Sequence, residues 1–201
     1  PSRNQNGPRT EKPVIYLYPE VEMEVEVKLD FEGEHSFLYP AYNDGWQCIA
    51  SPNGDITIDS KVYNYLFWEA EQPDHLSTAN QEEGFIVKGE NAISFLQEKL
   101  TTAGLTSKEQ ADFITFWGPQ IQKNSLNFVR FEFNETCDKF TKLNITPEPD
   151  QTFRIYIFFS PIDAPYDVQE QTIETINRTG FTVLEWGGQA SDQILVNPKT
   201  I

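Results

Sequence analysis

From Val21 to Phe31 the chain alternates without interruption. Val21, Met23, Val25, Val27, Leu29 and Phe31 are apolar, and Glu22, Glu24, Glu26, Lys28 and Asp30 between them are charged. A period of two puts successive side chains on opposite sides of a strand, so this segment predicts a β-strand with one face buried and one in water. Upstream, "PVIYLYP" at 13–19 is bracketed by prolines and predicts a short strand in an edge or terminal position. Downstream, "FEGEHSF" turns the chain into a second strand, and 46–50, 55–59 and 61–70 predict three more. "SPNGD" supplies a hairpin turn between the first two of these, and the spacing predicts an antiparallel meander. "GFIVKG" at 84–89 closes the β-rich half.

Within that half, "KVYNYLFWEAE" at 61–71 has no wet face. As one strand it would set Tyr63, Tyr65, Phe67, Glu69 and Glu71 on one side and Val62, Leu66, Trp68 and Ala70 on the other. Two apolar faces predict a central strand covered on both sides. The competing reading turns the aromatic face toward an open groove.

The period then changes. "NAISFLQEKLTTAG" aligns Ile93, Leu96, Leu100 and Ala103 on one stripe, with Asn91 as N-cap and Gly104 as the stop. "TSKEQADFITFWGPQIQ" opens with Thr106 and Glu109 in capping-box spacing, carries Ala111, Ile114 and Trp117 on one face, and meets Pro119, which should end or bend it. Strands return at 126–133 and 152–159, with "NITPEPDQ" read as a loop. "DVQEQTIETIN" predicts a third helix stopped by Gly180, followed by strand "FTVLEW" and a short strand "ILV". The fold class is α+β, with an antiparallel β-rich N-terminal half, an αα-hairpin in the middle and a β-β-α-β C-terminal part. Residues 1–12, polar and unpatterned, are expected to be a flexible leader, and residues 13–201 a single domain.

Charge narrows the partners. Of 201 residues, 31 are acidic and 15 basic, a net charge of −16, so a nucleic-acid footprint is absent and an anionic membrane surface would repel the chain. No apolar run approaches the roughly 20 residues that span a bilayer. The two cysteines, Cys48 and Cys137, fit either one disulfide or two buried thiols. N-x-Ser/Thr triplets at Asn134, Asn144 and Asn177, together with the cysteines, lean toward a secreted or cell-surface setting. His35 and His75 are the two histidines and each stands alone, with no H-E-x-x-H, no paired cysteines and no carboxylate–histidine cluster of ligand spacing, and no phosphate-binding glycine loop or nucleophile elbow occurs, so neither metal nor cofactor is expected.

Candidate chemistry rests on carboxylates and rings. Glu69 and Glu71, two apart on a strand, would stand roughly 7 Å from each other, within the about 6.5–9.5 Å used by inverting glycosidases. Tyr65 and Phe67 beside them could stack a sugar ring, and Glu185 next to Trp186 offers another carboxylate, with glycines that would admit a ligand. The plainer account of each is a strand end emerging into solvent or a ring plugging the core.

Three stretches, "KPVIYLYPE" at 12–20, "GLTSKEQADFITFWGPQ" at 104–120 and "RTGFTVLEWGG" at 178–188, together resemble a family of uncharacterised, mostly exported proteins marked by K-P-x-I-Y-L-Y-P near the start. The resemblance spans residues 12 to about 190. It implies a single extracytoplasmic domain and carries over no activity or site. The expectation is a binding protein for a glycan, a peptide or a surface protein, engaging it through Tyr65, Phe67 and Trp186. The alternative is a carboxylate-based carbohydrate hydrolase with Glu69, Glu71 or Glu185 as acid and base. A third reading is a structural part of a surface assembly.

Overall fold

The computed structural model describes residues 9–30, 35–71, 81–139 and 141–191. It is mixed α+β and strand-rich, with two helices in the middle of the chain. In order these are β1 (Arg9–Tyr18), β2 (Met23–Asp30), β3 (His35–Tyr39), β4 (Trp46–Ala50), β5 (Ile56–Ile58), β6 (Lys61–Tyr63), β7 (Leu66–Glu71) and β8 (Glu83–Lys88). Then come α1 (Ala92–Thr102), α2 (Ser107–Gln122), β9 (Leu126–Phe133), β10 (Lys142–Thr146), β11 (Gln151–Pro161), β12 (Gln169–Glu170) and β13 (Thr182–Ala190). An eight-stranded sheet runs β12-β8-β9-β11-β13-β1-β7-β3, and a five-stranded sheet runs β10-β2-β4-β5-β6.

The segments 1–8, 31–34 and 192–201 lie outside the described residues, and with them the start of the expected leader, the "FEG" turn and the "ILV" strand. Strand β1 begins at Arg9, inside the stretch read as leader. It is also an interior strand, paired to β13 on one side and β7 on the other, and not an edge. Both ladders shift register on either side of Pro13, so the missing N–H of that proline falls where pairing is already interrupted.

The chain divides into two compact units. The first comprises Pro1–His75, Glu132–Tyr156 and Asn177–Gly188. Its interior is a sandwich core in which Ile15, Leu17, Leu66, Trp68, Ala70 and Val183 of the larger sheet meet Val25, Val27, Trp46, Cys48, Ala50 and Ile56 of the smaller. The alternation read at 21–31 is realised in β2, with Val25 and Val27 buried inward and Glu24 and Glu26 turned outward. Trp46 Nε1–H donates to the Pro40 carbonyl at 2.9 Å, so its ring enters the core without leaving a donor unmet.

The run 61–71 is not one central strand. Its first three residues close the smaller sheet as β6, the chain turns at Asn64 and Tyr65, and Leu66–Glu71 enters the larger sheet as β7. A strand that changes sheets reverses which side is inward, as at the corners of packed sheets. Val62 is therefore exposed while Leu66, Trp68 and Ala70 are buried, although alternation had put all four on one face. The "NITPEPDQ" region likewise pairs in part, its first residues belonging to β10 beside β2.

The second unit comprises Leu76–Phe131, Ile157–Ile176 and Gln189–Ile201 and holds both helices. Thr106 and Glu109 form the full capping box: the Thr106 N–H donates to Glu109 Oε2 at 2.7 Å, and the Glu109 N–H donates to Thr106 Oγ1 at 3.4 Å. The buried stripe of α2 is Phe113, Trp117 and Ile121: Trp117 is buried as the periodicity predicts, while Ala111 is exposed and Ile114 half-buried. Pro119 neither ends nor begins anything; the helix runs on to Gln122 with Trp117 and Ile121 packed on either side of it. Gly104 stops α1 with φ of +80°, and a Cβ there would meet Ile176 Cγ2 at 2.9 Å.

No helix forms at 167–177. Gln169–Glu170 pairs in parallel with β8, and 171–179 is irregular chain. Three bonds hold the segment in place: the Gln171 side-chain amide donates to the Phe131 carbonyl and accepts from its N–H, and the Ile176 N–H, which a helix would use, donates to Ala103 O at 2.9 Å. The last of these caps a helix-end carbonyl of α1 that would otherwise lack a partner. Tertiary bonding here overrides local helical pattern.

Replacing Thr106 with Ala removes one arm of the capping box and should lower stability by about 1 kcal/mol. Urea unfolding followed by far-UV circular dichroism checks this, and an unchanged midpoint would show the cap to be idle.

Candidate functional site

Register places the candidate residues on two opposite faces of one sheet. Trp186 stands opposite Val14, Val14 opposite Phe67, and Phe67 opposite Tyr39, a row crossing β13, β1, β7 and β3. Directly paired residues share a face. Glu69 is opposite Phe37 on that same face. Glu185, the next residue along from Trp186, points to the other face, opposite Ile15 and in line with Leu66.

Exposure along the aromatic row grows toward β3. Trp186 is buried, its Nε1–H donating to the Tyr16 hydroxyl at 3.2 Å, with Lys12 Nζ 5.8 Å from its ring centre. Its ring meets no solvent, so it supports Tyr16 from within and offers no binding surface here. Tyr65 is half-buried and packs edge-on against Tyr16 at 5.7 Å. Phe67 is half-buried, and Phe37 and Tyr39 are each 53% exposed. Phe37 lies edge-to-face on Phe67 at 5.8 Å, and Tyr39 on Tyr63 at 5.7 Å. Each exposed ring is thus propped by a half-buried one, which holds it in place before any ligand arrives. Phe37 and Tyr39 were not among the sequence candidates. The "HSFLY" segment is short and follows residues 31–34, and only pairing with β7 sets its rings beside Phe67.

Glu69 and Glu185 lie on opposite faces of the sheet. Glu69 is half-buried at the rim of the aromatic face. Glu71 ends β7 opposite Arg9, and its side chain lies outside the described residues. Glu185 is fully buried in the first unit: its Oε1 accepts from Trp68 Nε1 at 2.9 Å and its Oε2 from Arg154 Nε at 2.6 Å. The sequence signal for it, a carboxylate beside glycines at a strand end, mistook an interior position for a rim; β13 continues through Gly187 and Gly188 to Ala190.

Arg154 is the centre of that interior group. Its Nη1 donates to Asp138 Oδ1 at 2.6 Å and to the Thr141 carbonyl at 2.9 Å, and its own N–H donates to Asn134 Oδ1 at 3.1 Å. Burial pulls the guanidinium pKa down, but the charge of Glu185 and its neighbours outweighs this and raises it, so the side chain stays cationic. Burial raises the Tyr156 hydroxyl and the Cys137 thiol well above their usual ranges. Both cysteines are free and buried, and burial pushes the Cys48 thiol up to about 11. Neither is a poised nucleophile.

A shallow depression of about 390 Å³ on the outer face of the smaller sheet is lined by Glu24, Gln47, Ile49, Thr57, Asp59 and Ser60. Among the described residues no aromatic ring borders it, so none of the rings that the sequence suggested lines this depression. Among the described residues no helix is long and apolar enough to cross a membrane.

No family model matches this chain, and no solved structure matches it. Over 63 residues the chain is 43% identical to an uncharacterised protein in the bglA 3′ region of Butyrivibrio fibrisolvens. That stretch is 30% of this chain and spans 66% of that protein's length. The chain is similar to a protein of no assigned activity. This agrees with its resemblance to an uncharacterised family.

Two buried groups of the first unit can be tested by their effect on stability. Glu185→Ala removes the buried countercharge of Arg154 and an acceptor of the Trp68 indole and should cost about 3–5 kcal/mol, whereas the double change Arg154→Met, Glu185→Leu should recover part of that loss. Equal losses in denaturant midpoint for single and double variants would refute the pairing. For Cys48, the unfolded thiol titrates near 9.0 and the folded one near 11. The unfolded state therefore loses its proton first, and stability present below pH 9 falls as pH rises toward 11. Cys48→Ala should make that alkaline decline shallower in thermal melts at stepped pH.

Proposed function

We propose that this protein is an extracytoplasmic binding module, and that it makes contact through the ring-bearing rim of β3 and β7. The observation that carries the reading is the pair of half-exposed rings on β3, Phe37 held edge-to-face by Phe67 of β7 and Tyr39 by Tyr63 of β6, with Glu69 opposite Phe37. Exposed rings that are ordered in advance suit recognition, because little side-chain freedom remains to be lost on binding. Phe67 and Tyr63 are its inner supports, and Tyr65 packs beside them against Tyr16.

The hydrolase reading keeps Glu69 and Glu71 and loses Glu185. A general acid or base must be able to trade its proton with substrate. Glu185 is held between a guanidinium and an indole N–H in the sandwich interior, where no substrate reaches it.

The test compares the parent with a Phe37→Ala, Tyr39→Ala double variant on glycan arrays, peptide arrays and immobilised surface proteins. Val21→Ala serves as control, because Val21 is an exposed apolar residue that takes no part in this pairing. At least one ligand class should be retained by the parent and the control and lost by the rim variant. Indistinguishable profiles from all three proteins would sink the proposal.

A further inference from the structure

We propose that the rim of β3 and β7 takes a glycan chain without acidic groups, laid across Phe37 and Tyr39 with its hydroxyls turned to Glu69. This rests on the binding reading above and names the ligand class for the same surface.

Three observations select that class. The apolar part of the rim is narrow, a strip one strand pair wide, set against the about 800 Å² that each partner commits in an ordinary protein–protein interface. A sugar presents an apolar C–H face ringed by hydroxyl donors, so it needs only one or two ring faces and an acceptor beside them. Phe37 and Tyr39 lie two residues apart on one strand face, at roughly 6.6 Å spacing, which lets successive parts of one chain rest on successive rings. The acceptor is Glu69, opposite Phe37 in register, and the phenol hydroxyls of Tyr39 and Tyr63 add groups that both donate and accept.

Charge decides among glycans. The rim carries a carboxylate and no basic side chain among the residues named, and the whole chain bears −16. A polymer of uronic or sulfated sugars would approach like charge with like, whereas a neutral chain meets no such barrier. The carboxylate accepts hydroxyl donors from a neutral sugar in the charge-assisted manner, which is stronger than a neutral pair.

The experiment measures retention of the purified chain by affinity electrophoresis in gels holding xylan, mixed-linkage β-glucan or polygalacturonate, at low and high salt. Retention by at least one neutral polymer and none by polygalacturonate is expected. Phe37→Ala or Tyr39→Ala should each weaken it by roughly tenfold, with thermal melts confirming that each variant is folded. Glu69→Gln should weaken neutral binding less than either ring change. Retention by polygalacturonate equal to that by the neutral polymers would overturn the charge argument, and no retention by any neutral polymer would overturn the glycan assignment. Rim-dependent capture on the peptide or protein arrays with no glycan bound would discard the glycan and leave the binding module standing. Rim variants without effect on any class would remove both.

Discussion

One ion pair organises the interior of the first unit. Glu185 and Arg154 meet inside an otherwise apolar sandwich, and the groups around them supply most of the hydrogen bonds the two charges need, with Nη2 of Arg154 left without one. Trp68 gives its indole N–H to the carboxylate, and Asp138 and the Thr141 carbonyl take the far end of the guanidinium. Two charges taken out of water repay their desolvation only when their remaining hydrogen-bonding capacity is met. A slip of β13 by one residue would put Trp186 inward and Glu185 outward, so the pair also penalises the wrong register.

The same strand then explains how the outer face is built. With Glu185 inward, Trp186 must face out, and the row Trp186, Val14, Phe67 and Tyr39 follows from pairing alone. The inner part of that row is buried support and the outer part is accessible ring. A carboxylate read as catalytic and a tryptophan read as a platform thus exchange their expected circumstances: the acid is structural, and the accessible rings lie three strands away on β3. The two free thiols follow the same logic, being apolar fillers whose burial suppresses ionisation.

The second unit shows the complementary case, in which local signals compete with long-range bonds. The capping box at Thr106 and Glu109 forms as its spacing requires, because both partners lie within one turn. The segment 167–177 has a comparable helical signature but donates its bonds elsewhere, to Phe131 and Ala103. A marginal helix of that length gains little from its own hydrogen bonds, so partners supplied by α1 and β9 prevail.

What the sequence determined by itself was whatever depends on neighbours within a few residues. The strict alternation of β2, the "SPNGD" turn, both mid-chain helices with the Thr106 cap and the Gly104 stop, and the mixed α+β class were all legible because period, capping and positive φ are short-range properties. Which face is which was settled by the fold. Alternation states that two sides exist and not which of them meets a second sheet, so the switch of sheets at Asn64, the interior place of β1, the burial of Glu185 and the exposure of Phe37 and Tyr39 had no local signature. Each depends on pairing between segments tens of residues apart, and that pairing is settled by the whole buried surface together.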